Sequence, residues 1–222
     1  MNAWCFLLLI AAVGQAEIID RIAVVVGTSV ITESEIVREI RLTAFLNQEP
    51  LDFSIASKRK TAERLVEQRL IQNENDVSLF PPPPADAVEL ALSEVKGKFG
   101  DAKAYQDELN RTAINEEELK AHLQRQLATL RFLDLRFRPG IQISDADIGA
   151  YFEARILPNL RKKQPGATFS MSDYRTQIEE ALIAERVDKA SDTWLKDARE
   201  HARIEFRASV FAPESVAQET PK

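Results

Sequence analysis

Cysteine is nearly absent from this chain. The only one, Cys5, lies in an apolar run at the very start, so the rest of the sequence can form neither a disulfide nor a thiolate metal site. Histidine is almost as scarce: His122 and His201 are the only two, and His122 is followed by no acid or thiol at ligand spacing. No nucleotide loop is present; Gly97-Lys98-Phe99-Gly100 comes nearest and lacks the G-x-x-x-x-G-K-[ST] pattern. Neither a G-x-S-x-G elbow nor an H-E-x-x-H pair occurs. Positive charge is not in excess either. Twenty-nine Lys and Arg face 35 Asp and Glu, giving a net charge of -6, and the cations are dispersed, which gives nucleic-acid binding little electrostatic support. Glycine numbers only seven, and no internal repeat is visible.

What is abundant is helix-forming sequence. The chain is 45% hydrophobic and 29% charged, and rich in Glu, Lys, Arg, Ala, Leu and Gln. That composition belongs to a globular, mostly helical protein. Residues 1–16 stand apart: they hold no Asp, Glu, Lys or Arg, and Cys5 to Val13 is continuously apolar. Small residues at Gly14 and Ala16 suit signal peptidase, so a signal peptide cleaved before Glu17 is expected. The run is too short for a stable bilayer anchor; a membrane-tethered N-terminus is the alternative. Export to an oxidising, periplasmic compartment follows as an expectation.

The stretch Asp20 to Glu35, DRIAVVVGTSVITESE, carries the strongest local signals. Two β-branched apolar runs, Ile22 to Val26 and Val30-Ile31, flank a short Gly-containing connection, which reads as a hairpin. Thr32 and Glu35 then form a T-x-x-E capping box at a helix start. A lone hairpin is marginal in water and needs a third strand or a helix to lie on. The best remaining strand is RIEFR, Arg203 to Arg207, so the two ends of the chain are expected to meet in one sheet.

Between them the periodicity predicts helices from Glu33 to about Asn47 and from Asp52 or Ser54 to about Glu74. Val77 to Phe80 reads as extended, and Pro81 to Pro84 as a stiff polyproline segment. Further helices follow over Ala85 to Lys98, after a cap at Asp101, and from the cap Asn115 to about Arg138. Another begins at Ser144 and is expected to be interrupted at Pro158; the last, capped by Ser172, runs from Asp173 to His201. Residues from Ser209 onward read as a polar tail.

This order of elements resembles the N-terminal module of SurA-type periplasmic chaperones. The resemblance rests on IIDRIAVVVGTSVITESEI (18–36), AERLVEQRLIQNE (62–74), QISDADIGAYFE (142–153) and ARIEF (202–206). It covers most of 18–207. The sequence departs from the family in one large way: the stretch between Tyr151-Phe152 and Asp173 is too short for the parvulin-type prolyl isomerase domains that relatives insert there.

The resemblance implies a multihelical, mainly α peptide-binding module of SurA and trigger-factor type. Its N-terminal hairpin would be joined by a C-terminal strand, with one domain over 17–207 (helices within 33–138 and 144–201, strand 203–207) and a flexible tail over 208–222. It also implies an ATP-independent holdase for unfolded polypeptides such as outer-membrane protein precursors, needing no cofactor and no catalytic or metal site. A degenerate prolyl isomerase and a non-chaperone adaptor for one fixed partner are the alternatives. The candidate client-binding residues are Phe80, Phe99 and Tyr105, near the proline run, and Phe132 and Leu135, on one face of the 115–138 helix. That helix is apolar on two sides, Leu119, Leu123, Leu130, Leu133 and Phe137 against Ala121, Ala128, Phe132 and Leu135. Burial between neighbouring helices is the reading preferred over a cleft. His122 is expected as a solvated or boundary residue, and His201 as a helix-end cation.

Overall fold

The computed structural model describes residues 20–212; the expected signal peptide lies outside them. Strands β1 (Ile22–Val26) and β2 (Ser29–Thr32) form the hairpin, and Gly27 takes the left-handed φ of 60° that begins its tight connection. The third strand, β3 (Ile204–Phe206), pairs antiparallel with β1, so the sheet order is β2-β1-β3 and the ends of the described chain do meet. A register shift between Ile22 and Val24 inserts Ala23 as a bulge. The bulge turns two successive side chains, Ala23 and Val24, into the core, where strict alternation would admit only one.

The protein is otherwise mainly helical. Helix α1 (Glu33–Asn47) starts at the Thr32–Glu35 capping box, with both reciprocal bonds formed. Helix α2 (Ile55–Ser78) starts at Ser54 and outlasts the expected end at Glu74. Val77 and Ser78 are therefore helical, and Leu79 closes the helix in the left-handed region. The prolines set the true limit, because a residue preceding proline avoids the helical region. Helices α3 (Ala85–Gly97), α4 (Ala102–Thr112) and α5 (Glu116–Phe137) follow, the last two capped by Asp101 and Asn115 as their sequences require.

Pro158 does not break the next helical stretch. Helix α6 (Asp145–Tyr151) passes through a π turn at Phe152–Ile156 into α7 (Leu157–Lys163). Proline offers no N–H to the carbonyl four residues back and crowds it; widening the preceding turn absorbs both defects. Helix α8 (Arg175–His201) is entered through a short 3-10 turn at Met171–Tyr174, so Ser172 is not its cap. A final short helix, α9 (Ala208–Phe211), corrects the expectation of a tail from residue 208: Val210 is buried and Phe211 packs on Phe206.

Three apolar clusters build the core. The first unites the sheet with Ile36 and Ile40 of α1, Ala62, Val66 and Leu70 of α2, and Val210. The second joins Leu42 and Phe45 of α1 to Leu92, Val95, Tyr105, Leu109, Leu119 and Leu123. The third is Ile148, Phe152, Leu157 and Ile178. Helix α1 links the first two clusters, and α8 links the third to the first through Leu182 at one end and Leu195 and Ala198 at the other.

Candidate functional site

The five candidate residues do not line one cradle; they fall into two aromatic groups. Phe99 and Tyr105 stack with Phe45, at ring-centroid distances of 5.3 to 5.8 Å. Phe80 sets its ring edge-on against Phe132 at 5.8 Å, and Phe132 in turn contacts Trp194 at 5.7 Å. Such offset and edge contacts are the favourable aromatic geometries. They are made inside the molecule: Tyr105 is 7% exposed and Phe132 is 1% exposed. Both are core residues, which corrects their candidacy as client contacts. The reason for Phe132 is the one preferred from the sequence, that α5 is covered on two sides, here by Phe80 and by Trp194 of α8. Leu135 remains open at 37% exposure, Leu130 on the other face is more exposed still, and Phe80 and Phe99 are half-buried.

Tyr105 also loses its polar end to the fold. Its hydroxyl donates to Glu116 Oε2 at 3.0 Å, and burial followed by that carboxylate pushes its pKa well above the usual phenol value. Glu116 is held below the carboxylate range first by its bond from Lys96. The acidic opening of α5 is thus a helix start with local partners, as its sequence suggests.

The half-buried Phe99 borders a concavity of about 440 Å³, lined also by Gln48, Glu49, Pro50, Ala104, Glu108 and Arg111. Phe99, Pro50 and Ala104 supply its apolar surface. The polar wall is fixed: Arg111 donates to both Glu108 oxygens at 2.8 and 2.6 Å and to the carbonyl of Glu49 at 2.9 Å. The Arg111 bond draws Glu108 below its ordinary pKa. Gln48, in the left-handed region at φ 56°, ends α1 at the rim. A volume of this size falls within the range of small-ligand sites. Its lining offers apolar contact beside the Arg111–Glu108 ion pair, with the Glu49 carboxylate at the same wall.

A second feature was missed by pattern reading. Glu39 of α1 and His122 of α5 are buried, at 6% and 3% exposure, with Nδ1 of the imidazole 3.3 Å from Oε2 of the carboxylate. His122 is therefore not solvated, contrary to expectation. Burial works against the charged carboxylate, but the His122 bond and the charges of His122, Arg64 and Arg125 outweigh it, so Glu39 titrates below its ordinary range. A cavity of about 130 Å³ adjoins the pair, lined by Glu35, Arg38, Glu39, Leu42, Leu65, Gln68, Arg69 and Arg125. The signal was available: Glu39 lies three residues after Ile36 and His122 three after Leu119, each within a buried stripe. His201 is exposed at the end of α8, its pKa raised first by the bond to the Asp197 carbonyl and then by the Asp197 carboxylate.

No group of three or more His, Cys, Asp and Glu side chains among the described residues is placed to hold a metal ion. No helix among them is long and apolar enough to cross a membrane. No model of a known protein family matches the chain, and no curated protein is a significant match to it.

Proposed function

We propose that this protein is an ATP-independent periplasmic holdase that takes unfolded polypeptides, outer-membrane protein precursors among them, by their apolar side chains. The observation that carries the reading is the Phe99 concavity: an apolar floor of Phe99, Pro50 and Ala104 beside a polar wall held by the Arg111–Glu108 pair. Such a surface holds a side chain without demanding a particular sequence, which suits transient binding of many clients. The joining of the chain ends in one sheet supports the same reading, because the SurA-type resemblance implies that arrangement. With Tyr105 and Phe132 in the core, the client contacts are assigned to Phe99 and to the open Leu135 and half-buried Phe80.

The purified protein should slow aggregation of an unfolded outer-membrane barrel protein at comparable molar concentration, without nucleotide. Phe99→Ala should weaken that protection while leaving far-ultraviolet circular dichroism unchanged. Aggregation that proceeds unaltered across a wide excess of the protein would exclude the holdase reading. Catalysis of X-Pro isomerisation above background would favour the enzyme alternative instead.

A further inference from the structure

The corner between α2 and α3 is built unlike any other connection in the molecule. Four consecutive prolines, Pro81 to Pro84, span it, with Pro84 at φ -60° and ψ 144°, the polyproline II region. Both ends of the strip are fastened. Phe80 is held against Phe132, Arg131 Nε donates to the Pro81 carbonyl at 3.1 Å, and the Pro84 carbonyl receives the Val88 N–H at 3.4 Å. Pro81, Pro82 and Pro84 are exposed and Pro83 is half-buried. The carbonyls of Pro82 and Pro83 accept no hydrogen bond among the described residues.

A rigid spacer would need no more than this, yet the residues beside it do not serve a spacer. Val77 and Leu79 are the most exposed large hydrophobics described, at 81% and 84%. Leu79 also sits at φ 54°, the helix-ending position at which glycine is ordinary and a β-carbon is disfavoured. A leucine there is strained and regains nothing by burial within the chain. Asp76 and Asp86 are exposed on either side, neither ion-paired among the described residues.

We propose that the corner from Val77 to Pro84 is a docking strip for a protein partner that reads polyproline II through an aromatic-lined groove. Proline rings stack on aromatic side chains, and the free carbonyls of Pro82 and Pro83 accept from groove donors such as indole or phenol groups. Val77 and Leu79 fill an apolar pocket next to the groove, and the two flanking aspartates call for a cationic rim. Because the strip is fastened before it binds, little ordering entropy is lost on docking. The proposal is independent of the holdase reading, which rests on the Phe99 concavity; of the contacts assigned there only Phe80 belongs to this corner, where its packing on Phe132 anchors the strip.

The test uses the full chain against isolated SH3, WW and EVH1 domains as probes, with affinity measured by calorimetry. At least one domain should bind, and Pro82→Ala combined with Pro83→Ala should weaken that binding about tenfold or more while leaving the thermal midpoint unchanged. Leu79→Gly should raise the midpoint, by relieving the strained backbone, and weaken binding at the same time. Absence of binding to every probe at about 1 mM, or equal affinity for the double-proline variant, overturns the proposal. Self-association that survives the proline changes also overturns it, because the occupant would then be a second copy reading only the leucine.

Discussion

The first and third clusters share helix α8 but are held in opposite ways. The first draws ten buried residues from both ends of the chain, around a sheet whose central strand has partners on both sides. The third has four, all from neighbouring segments of one stretch, ringed by side chains that are only half-buried. Burial stabilises roughly in proportion to the apolar area removed from water, so the first cluster holds the domain and the third is the part that opens at low cost. One long helix can thus be rigid at one end and releasable at the other.

The comparison breaks most sharply at β3. Ile204→Ala with Phe206→Ala removes packing from beneath β1 and the stack of Phe206 under the Arg59 guanidinium at 3.7 Å. The pair should cost about 3–6 kcal/mol, and in a Trp4→Phe background the Trp194 emission should shift to the red as α8 undocks. An unmoved midpoint would show that the first cluster does not depend on the far end of the chain. Next in size is Phe132→Ala, which empties a buried site against Trp194 of α8; about 3–5 kcal/mol is expected in thermal or urea melts.

Ile178→Ala tests the third cluster itself. Its side chain is fully buried, so a local loss of about 2–4 kcal/mol is expected. Hydrogen exchange should speed up in α6 and α7 while the sheet amides stay protected; equal acceleration in both would make the clusters one cooperative unit. The Glu39 pair gives a smaller effect, confined to acid. A carboxylate whose folded pKa is lowered adds stability that is complete above its ordinary value of 4.5 and lost as the pH falls through the folded value. The midpoint of the parent should therefore drop below pH 4.5 more steeply than that of Glu39→Gln, and parallel curves would remove the pair from the account. Smallest of all, Leu135→Ala should change stability by under about 1 kcal/mol and is read by client binding instead.

The elements were legible where local chemistry decides them. Thr32, Asp101, Asn115 and Ser144 all cap helices as their side chains require, and RIEFR alternates as an edge of a sheet does. Errors came where a distant partner decides. Val77 and Ser78 stay helical because the prolines, not the preceding composition, end α2. Val210 is apolar in a polar-looking segment, and only the sheet it covers makes α9 worth forming. At the candidate site, the aromatic residues were legible as a set but not their facing. Phe99 and Tyr105 are six positions apart on either side of a helix start, yet one meets solvent and the other Glu116. Periodicity assigns a residue to a side of its helix; what stands on that side is a property of the whole chain.

The position of β1 at the centre of the sheet has a consequence for the order of folding. Its hairpin partner follows at once, but its other edge pairs with Val24 to Val26 only through residues 204–206. During synthesis that edge stays open until residues 204–206 have emerged, and a nucleus that includes it has high contact order. Pulse-labelled refolding should therefore protect the amides of α1 and α2 before those of β3. A sheet whose third strand arrives last leaves its middle strand half-paired while the helices between them take shape.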